Sequence, residues 1–264
     1  MATDQAGPPP AVLEVRDVRV TVNGVRALGG VSFDVPEGSL FGLIGPNGAG
    51  KTTIMNVISA VITPQHGSVR FRGRELTGTS TVARVRSGIL RSFQQVRLLE
   101  DLTVLDNLLL GRERFRTVGL LRQIGGSRTG RRQARRDLEA AQEVAAVLGL
   151  SDLLHRDVQD LPFGARRLVD VGRAFAAEPD LLLLDEPAAG LDVTSRRLLL
   201  DAIKQAQRTT GATVMLVEHD VDLVRRACEE AVVLSNGEVL ARGTPTEVLA
   251  DPAVLRAYFG RNDA

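Results

Sequence analysis

A glycine-rich segment at residues 45–53 constrains the fold of this chain more than any other part of it. The segment reads GPNGAGKTT and fits the pattern G-x-x-x-x-G-K-[ST] at every position. An apolar run at residues 40–44 precedes it, and a helix-like stretch at residues 52–62 follows it. This order of strand, loop and helix is the context of a phosphate-binding loop, in which backbone N–H groups and the helix N-terminus surround an anion. The chain must therefore place a glycine-rich turn between a buried strand and a helix.

The residues of this loop predict contacts with a nucleoside triphosphate. Lys51 would reach the terminal phosphates, and the Thr52 hydroxyl would bind Mg²⁺. The alternative is a glycine-rich turn that matches the pattern by chance, and the flanking strand and helix argue against it. The predicted phosphate-binding residues are Gly45, Pro46, Asn47, Gly48, Ala49, Gly50, Lys51, Thr52 and Thr53.

Length, charge and cysteine content exclude several classes of protein. The 264 residues suffice for one α/β domain, and the net charge of +1 argues against a general nucleic-acid binder. The single cysteine, Cys228, rules out a disulfide within the chain, which fits a reducing compartment. The apolar runs are shorter than a membrane span. Residues 1–10 are predicted to be a disordered leader without signal-peptide features, so we expect the protein on the cytoplasmic side of the membrane.

Strand and helix patterns predict an α/β fold with antiparallel hairpins at both ends of the chain. Asn23-Gly24 separates β-rich runs at 13–22 and 25–35, and Asn236-Gly237 separates runs at 231–235 and 238–242. Between them, apolar strands at 40–44, 181–184 and 213–217 are each followed by an amphipathic helix, which predicts a parallel sheet covered on both faces. Residues 103–161 lack strand signals and are predicted to be helical. The predicted organisation is a single domain over residues 11–264, with a helical subdomain inserted at about 95–165.

A pair of carboxylates follows a buried strand and suggests hydrolysis. Four leucines at 181–184 lead into Asp185 and Glu186. Ligands of a parallel sheet bind at the carboxyl ends of its strands, where Asp185 would hold Mg²⁺ through water and Glu186 would polarise the attacking water. The alternative is an ordinary strand that ends in surface acids. The phosphate-binding loop in the same chain favours the functional interpretation.

A histidine follows the next apolar strand. His219 lies in the sequence Glu218-His219-Asp220, where it could hydrogen-bond to the γ-phosphate. The alternative is a helix start capped by Asp220, with no role for the histidine. Its place one strand after the carboxylate pair favours a catalytic role.

With these elements in place, the chain resembles the nucleotide-binding ATPase subunits of ABC transporters from Leu13 to Phe259. The resemblance implies a P-loop NTPase core with a mainly parallel sheet, an N-terminal antiparallel β-subdomain and an inserted α-helical subdomain. It makes residues 45–53 the Walker A motif, Asp185 the end of Walker B, Glu186 the catalytic glutamate and His219 the switch histidine. Residues 189–192 are similar to the D-loop. Gln94 resembles the Q-loop glutamine, which would contact Mg²⁺ and the attacking water.

Longer stretches resemble one branch of this family, the ATPase subunits of branched-chain amino-acid importers. They are RSFQQVRL at 91–98, LTVLDNLL at 102–109, DEPAAGL at 185–191, VEHD at 217–220 and the C-terminal run from Gly243 to Gly260. ATPases of urea or amide importers and of lipid or lipopolysaccharide exporters look much alike, and they remain alternatives. An ATPase of DNA repair or translation is an alternative of another class. Such chains usually carry two nucleotide sites or long coiled coils, and this chain shows neither pattern.

The chain departs from the family at two places. The signature Leu-Ser-Gly-Gly-Gln corresponds to Leu161-Pro162-Phe163-Gly164-Ala165, so the serine and the glutamine are both absent. We still expect Phe163, Gly164 and the following helix start to contact the nucleotide of a second subunit, more weakly than usual. A regulatory site without fast turnover is the alternative, and the intact Glu186 and His219 argue against it. Val22 stands where many relatives stack an aromatic ring on adenine, which predicts an aliphatic contact and looser base selectivity.

One segment concentrates positive charge. Residues 112–136 hold nine arginines and one glutamate, a net charge of +8, so the rest of the chain carries −7 of the total of +1. A solvated helical surface is the ordinary interpretation. Contact with anionic lipid headgroups or an acidic partner is the alternative.

The resemblance also implies cofactors and partners. ATP and Mg²⁺ are the expected cofactors. The expected partners are a second ATPase subunit of the same or a paralogous chain, two transmembrane permease subunits and, indirectly, an external solute-binding protein, without nucleic acid. The two ATPase subunits would pack head to tail on the cytoplasmic face of the plasma membrane, closing on ATP and reopening on hydrolysis.

Overall fold

The computed structural model describes residues 10–92, 98–115 and 128–259 and divides the chain into two compact units. The first unit, called the sheet unit below, comprises residues up to Arg91 together with Asp180–Glu186 and Gly211 onward. The second, called the helical unit, comprises Ser92–Pro179 and Pro187–Thr210. Every described strand belongs to the sheet unit.

Two sheets form the sheet unit. The strands are β1 Ala11–Val22, β2 Val25–Pro36, β3 Leu40–Ile44, β4 His66–Phe71, β5 Arg74–Glu75, β6 Ile89–Arg91, β7 Leu181–Asp185, β8 Thr213–Val217, β9 Glu230–Ser235 and β10 Glu238–Gly243. The smaller sheet is antiparallel in the order β2-β1-β4-β5. The larger sheet has the order β10-β9-β3-β8-β7-β6, parallel except for the β9–β10 pair.

The strands follow from their side chains and turn residues. Every residue of β3, β7 and β8 is buried, as expected for parallel strands covered on both faces. The β1–β2 and β9–β10 hairpins each turn through an Asn-Gly pair with positive φ at both residues. This backbone suits the right-handed twist of the flanking strands, and asparagine and glycine tolerate it best. Both predicted hairpins are confirmed.

Five helices complete the sheet unit: α1 Lys51–Ile58, α2 Thr81–Arg86, α7 Val221–Ala227, α8 Pro245–Ala250 and α9 Pro252–Phe259. The apolar core joins residues of both sheets to α1, and it includes the stacked rings of Phe33 and Phe41, 5.9 Å apart. The start of α8 shows a capping box between Thr244 and Glu247. α1 ends four residues earlier than the sequence predicted, at Ile58, where Ser59 caps it.

The helical unit contains the remaining described α-helices: α3 Val104–Gly111, α4 Arg128–Val147, α5 Phe163–Ala176 and α6 Val193–Thr210. Three 3₁₀ helices lie in it as well: Arg112–Phe115, Ser151–Leu153 and Val158–Asp160. Thr103 caps the start of α3, since its hydroxyl accepts from the Asp106 N–H at 3.1 Å. Inside the unit, Arg112 donates to Asp137 at 3.2 Å, and both side chains are buried. α3 packs on α5, and α5 packs on α6.

The predicted fold class is confirmed by the two sheets, the parallel core strands and the helical segment. Sequence patterns missed β4, β5, β6 and α2, which are short elements. The boundaries of a single domain with an insertion at about 95–165 stay a prediction. Residues 1–9 of the predicted leader, Gln94 and residues 116–127 of the arginine-rich segment lie outside the described residues.

Candidate functional site

Three predicted motifs of the sheet unit lie at the carboxyl ends of neighbouring parallel strands. The glycine-rich loop follows β3, His219 follows β8, and Asp185 ends β7 with Glu186 next in the chain. The three strands are adjacent in the order β3-β8-β7, and Asp185 pairs in register with Val217. Parallel strands end at the same edge, so this order brings the three predicted motifs side by side.

Two glycines give the loop a path that no other residue could follow without strain. Gly45 has φ of +155°, and a Cβ there would lie 2.3 Å from the Leu234 carbonyl oxygen. Gly50, the N-cap of α1, has φ of +102°, and a Cβ would lie 2.8 Å from Leu28 Cδ2. The second hairpin supports the loop from outside, because the Gly237 N–H donates to the Ala49 carbonyl at 3.1 Å. The loop is therefore held in shape by its neighbours.

Lys51 lies buried at the base of this loop. Its Nζ donates to the carbonyl oxygens of Gly45 at 2.7 Å and Pro46 at 3.0 Å. Burial lowers the pKa of the ammonium, and the negative charges of Glu186 and Asp185 partly offset that effect. The structure thus brings Lys51 within electrostatic reach of both predicted carboxylates.

Asp185 is ion-paired within the sheet unit. Arg91 Nη2, at the end of β6, donates to Asp185 Oδ2 at 2.6 Å, and both side chains are largely buried. A buried carboxylate is costly unless a cation or hydrogen-bond donors face it. The Arg91 guanidinium is therefore the cation that offsets the cost of burying the Asp185 carboxylate.

Glu186 has a strained backbone beside a histidine. Its φ is +47°, in the left-handed region that side chains other than glycine's seldom adopt, and its N–H donates to the Val217 carbonyl at 2.9 Å. Such strain costs about 1–3 kcal/mol and is concentrated at functional sites. Nδ1 of the exposed His219 lies 4.0 Å from Glu186 Oε1 and 3.9 Å from Oε2 of the buried Glu218. Asp220 caps α7, as the alternative interpretation of this segment predicted.

The oxygens at this edge fit the predicted magnesium ion in part. Among the described residues, no group of three or more His, Cys, Asp and Glu side chains is arranged to hold a metal ion. A metal bound through phosphate oxygens and water does not need such a group. The exposed Thr52 hydroxyl at the start of α1 and the Asp185 carboxylate are oxygen ligands of the kind that Mg²⁺ prefers.

Phe163 and Gly164 begin α5 in the helical unit. The Phe163 ring is half exposed, Arg167 lies over it at 5.4 Å from the centroid, and a Cβ on Gly190 would lie 3.4 Å from the ring. The signature and D-loop segments are therefore in contact within this unit. Pro162 at the N-cap provides no side-chain hydrogen bond to the first N–H groups of the helix, and the contact of this helix start with a nucleotide stays a prediction.

The predicted nucleotide contacts of two further residues, Val22 and Gln94, stay predictions. Val22, at the end of β1, is 43% exposed, which leaves its side chain accessible. Its contact with a base stays a prediction. Gln94 lies outside the described residues, three positions after Arg91.

Comparison with known proteins identifies the family to which this chain belongs. The ABC transporter profile matches residues 28–189, which include the glycine-rich loop and the Asp185–Glu186 pair. The chain belongs to the ABC transporter family. The resemblance inferred from the motifs is confirmed, and so is the prediction of an ATP-hydrolysing transporter subunit. A second profile, that of the branched-chain amino acid ATP-binding cassette transporters, matches residues 238–264.

Relatives and solved structures agree with this assignment over nearly the whole chain. The high-affinity branched-chain amino acid transport ATP-binding proteins LivG of Salmonella typhimurium and BraF of Pseudomonas aeruginosa are each 34% identical, over 94% of this chain and 98% of theirs. Crystal structures of an ATP-binding cassette from an ABC transporter, one nucleotide-free and one in an ADP conformation, each give a TM-score of 0.79 at 30% identity. They cover 96% of this chain and 100% of the solved chain.

Sequence reasoning overlooked Arg91 as a site residue. The sequence analysis used Arg91 only as part of the segment at 91–98, which resembles one branch of the family. In the structure, its side chain contacts the carboxylate of Asp185. An arginine in a short apolar strand three residues before a candidate site glutamine was the available signal, because a buried cation needs an acidic partner. Nothing in the sequence said which acid that partner was.

Proposed function

We propose that this ABC-family ATPase powers the import of branched-chain amino acids. The match of residues 238–264 to the branched-chain amino acid cassette profile carries the choice of substrate, because it lies outside the motifs that all cassettes share. The full-length similarity to LivG and BraF supports it. Specificity for the amino acid itself would lie in other subunits.

The proposed reaction is hydrolysis of ATP at the edge formed by β3, β8 and β7. The N–H groups of residues 45–53 and the Lys51 ammonium would hold the phosphates. Thr52, Asp185 and Gln94 would hold Mg²⁺, which neutralises charge on the phosphates. Glu186 would orient and polarise the attacking water, and His219 would contact the γ-phosphate. Phosphoryl transfer depends on positioning and charge stabilisation, which a rigid loop and strand ends provide.

The proposed assembly is a dimer in which the second subunit completes each site. Phe163 and Gly164 of one subunit would contact the nucleotide held by residues 45–53 of the other. No helix among the described residues is long and apolar enough to cross a membrane. We propose that two permease subunits provide the membrane part, that a solute-binding protein delivers the substrate, and that this chain acts at the cytoplasmic face of the plasma membrane.

ATP turnover against protein concentration tests the catalytic proposal. Wild type is compared with Glu186→Gln and with Glu37→Gln, a control that removes a carboxylate from an exposed pair with Arg72. We expect turnover that rises more than linearly with concentration, falls by two orders of magnitude or more in Glu186→Gln and is unchanged in the control. Unchanged turnover in Glu186→Gln would refute the catalytic assignment.

Uptake in cells tests the substrate. Cells that lack this chain are complemented with wild type or Glu186→Gln, and uptake of labelled leucine, urea and a short amide is measured. We expect wild type alone to restore leucine uptake. Restored uptake of urea or the amide, or a change in exported lipid without any restored uptake, would assign the chain to a related branch.

A further inference from the structure

Besides its ion pair with Asp185, the Arg91 guanidinium contacts two side chains, one in α1 and one at its C-cap. Its Nη1 donates to Asn56 Oδ1 at 2.7 Å and approaches Ser59 Oγ at 3.4 Å, while Nη2 donates to Asp185 at 2.6 Å. Asn56 lies in α1, the helix that starts in the phosphate-binding loop, and Ser59 caps its end. One guanidinium therefore connects the ends of β6 and β7 to α1.

The burial of this group makes the connection specific. The Arg91 and Asp185 side chains are 14% and 5% exposed. An ion pair shielded from solvent is screened little by salt and holds its partners more firmly than surface pairs do. The planar fork of arginine donates in two directions at once, which a lysine ammonium on a flexible stem does not reproduce. The geometry thus depends on arginine rather than on positive charge alone.

The balance of charges at this edge also depends on Arg91. Lys51 carries a charge that both Asp185 and Glu186 favour. Arg91 adds a second cation beside one of these carboxylates, that of Asp185. Without it, the Asp185 carboxylate would lose the hydrogen bond that fixes its orientation, which would weaken a metal ligand.

We propose that Arg91 is a positioning residue for the magnesium site: it orients the Asp185 carboxylate and fixes its distance from the phosphate-binding helix through Asn56. This inference rests on the proposed function, in which Asp185 helps to hold Mg²⁺. Groups that orient metal ligands typically change metal affinity by about 10–100-fold when they are altered.

The test separates metal binding from nucleotide binding and from folding. Wild type, Arg91→Lys and Asn56→Ala are compared with Arg70→Lys, a control in an exposed pair with Glu75. ADP affinity is measured by calorimetry in EDTA and then across a Mg²⁺ titration, and thermal unfolding is recorded without ligand. The readout is the Mg²⁺ concentration at which the gain in ADP affinity is half complete.

We expect Arg91→Lys to raise this Mg²⁺ midpoint by about tenfold while ADP affinity in EDTA is unchanged. Asn56→Ala keeps the ion pair and should raise the midpoint by less. Arg70→Lys should not change it. If Arg91→Lys does not fold, Asn56→Ala decides the question.

Two outcomes would overturn the inference. Unchanged midpoints in folded Arg91→Lys and Asn56→Ala would reduce Arg91 to a structural role, visible only as a lower unfolding temperature. An equal shift in Arg70→Lys would show that replacing an arginine outside the site has the same effect, so the position of Arg91 would not matter. Failure of the proposed function looks different, since wild type would then bind ADP with no response to Mg²⁺.

Discussion

Tyr258 provides a prediction that can be read without any label. It is the only tyrosine of the chain, which has no tryptophan, so the absorbance of ionised tyrosine reports on this residue alone. The side chain lies in α9 with its hydroxyl shielded from solvent. Burial raises the pKa of Tyr258 from 10.0 to about 12, and a hydrogen bond with the Gly45 backbone partly offsets the rise. The tyrosine thus reports on the C-terminal helix and the phosphate-binding loop together.

The sign and size of the effect on stability follow from this shift. The folded state holds the proton more tightly than the unfolded state, so the contribution of Tyr258 is complete below pH 10 and is lost between pH 10 and about 12. Two pKa units correspond to about 2.7 kcal/mol, and solvent screening of a partly exposed side chain reduces this to about 1–2 kcal/mol.

The assay is an alkaline titration that follows tyrosinate absorbance and far-UV circular dichroism on the same samples. We expect no tyrosinate near pH 10 while the dichroism is native, and a midpoint near 12 or together with unfolding. Tyr258→Phe, the matched control, should lose the absorbance change and show a flatter decline of stability above pH 10. A midpoint near 10 in protein with native dichroism would refute the burial argument.

Three further predictions concern single contacts. Arg112→Met leaves the Asp137 carboxylate buried without this cation and should lower the unfolding free energy by about 3–5 kcal/mol in urea titrations. Gly45→Ala forces a Cβ against the Leu234 carbonyl; it should destabilise the protein by about 1–3 kcal/mol and weaken ADP binding measured by calorimetry. Gly73→Ala is the control: Gly73 also has positive φ, +72°, so alanine is strained there, but the space around it is open and ADP affinity should not change. Thr244→Ala breaks the capping box of α8 and should cost about 1 kcal/mol in the same urea titration, against no change for a neighbouring exposed Thr246→Ala.

Local chemistry explains which parts of the fold and site could be predicted from the sequence. The Asn23-Gly24 and Asn236-Gly237 turns were predictable because their backbone conformation is one that few residue types accept. Continuous apolar runs predicted β3, β7 and β8, since only strands buried on both faces can do without polar positions. The glycine-rich loop predicted its own strand and helix. In each case the deciding information lies within about ten neighbouring residues.

Short elements and long-range pairs were not predictable in the same way. β6 has three residues and exists because β7 supplies its hydrogen-bonding partner. Arg91 and Asp185 are 94 positions apart, and no periodicity connects them. The predicted insertion of a helical subdomain and the predicted contacts of Gln94, Val22, Phe163 and Gly164 with nucleotide stay predictions, because they depend on distant parts of the chain or on a second chain.

The sequence by itself determined the nucleotide-binding loop, the two carboxylates and histidine at strand ends, the hairpins and the family. These depend on backbone conformation and on burial, and residue type encodes both locally. Only the tertiary structure decided that Arg91 rather than another cation faces Asp185, and that the second hairpin supports the loop. Strand order sets which side chains meet at one sheet edge, and that order results from packing the whole chain.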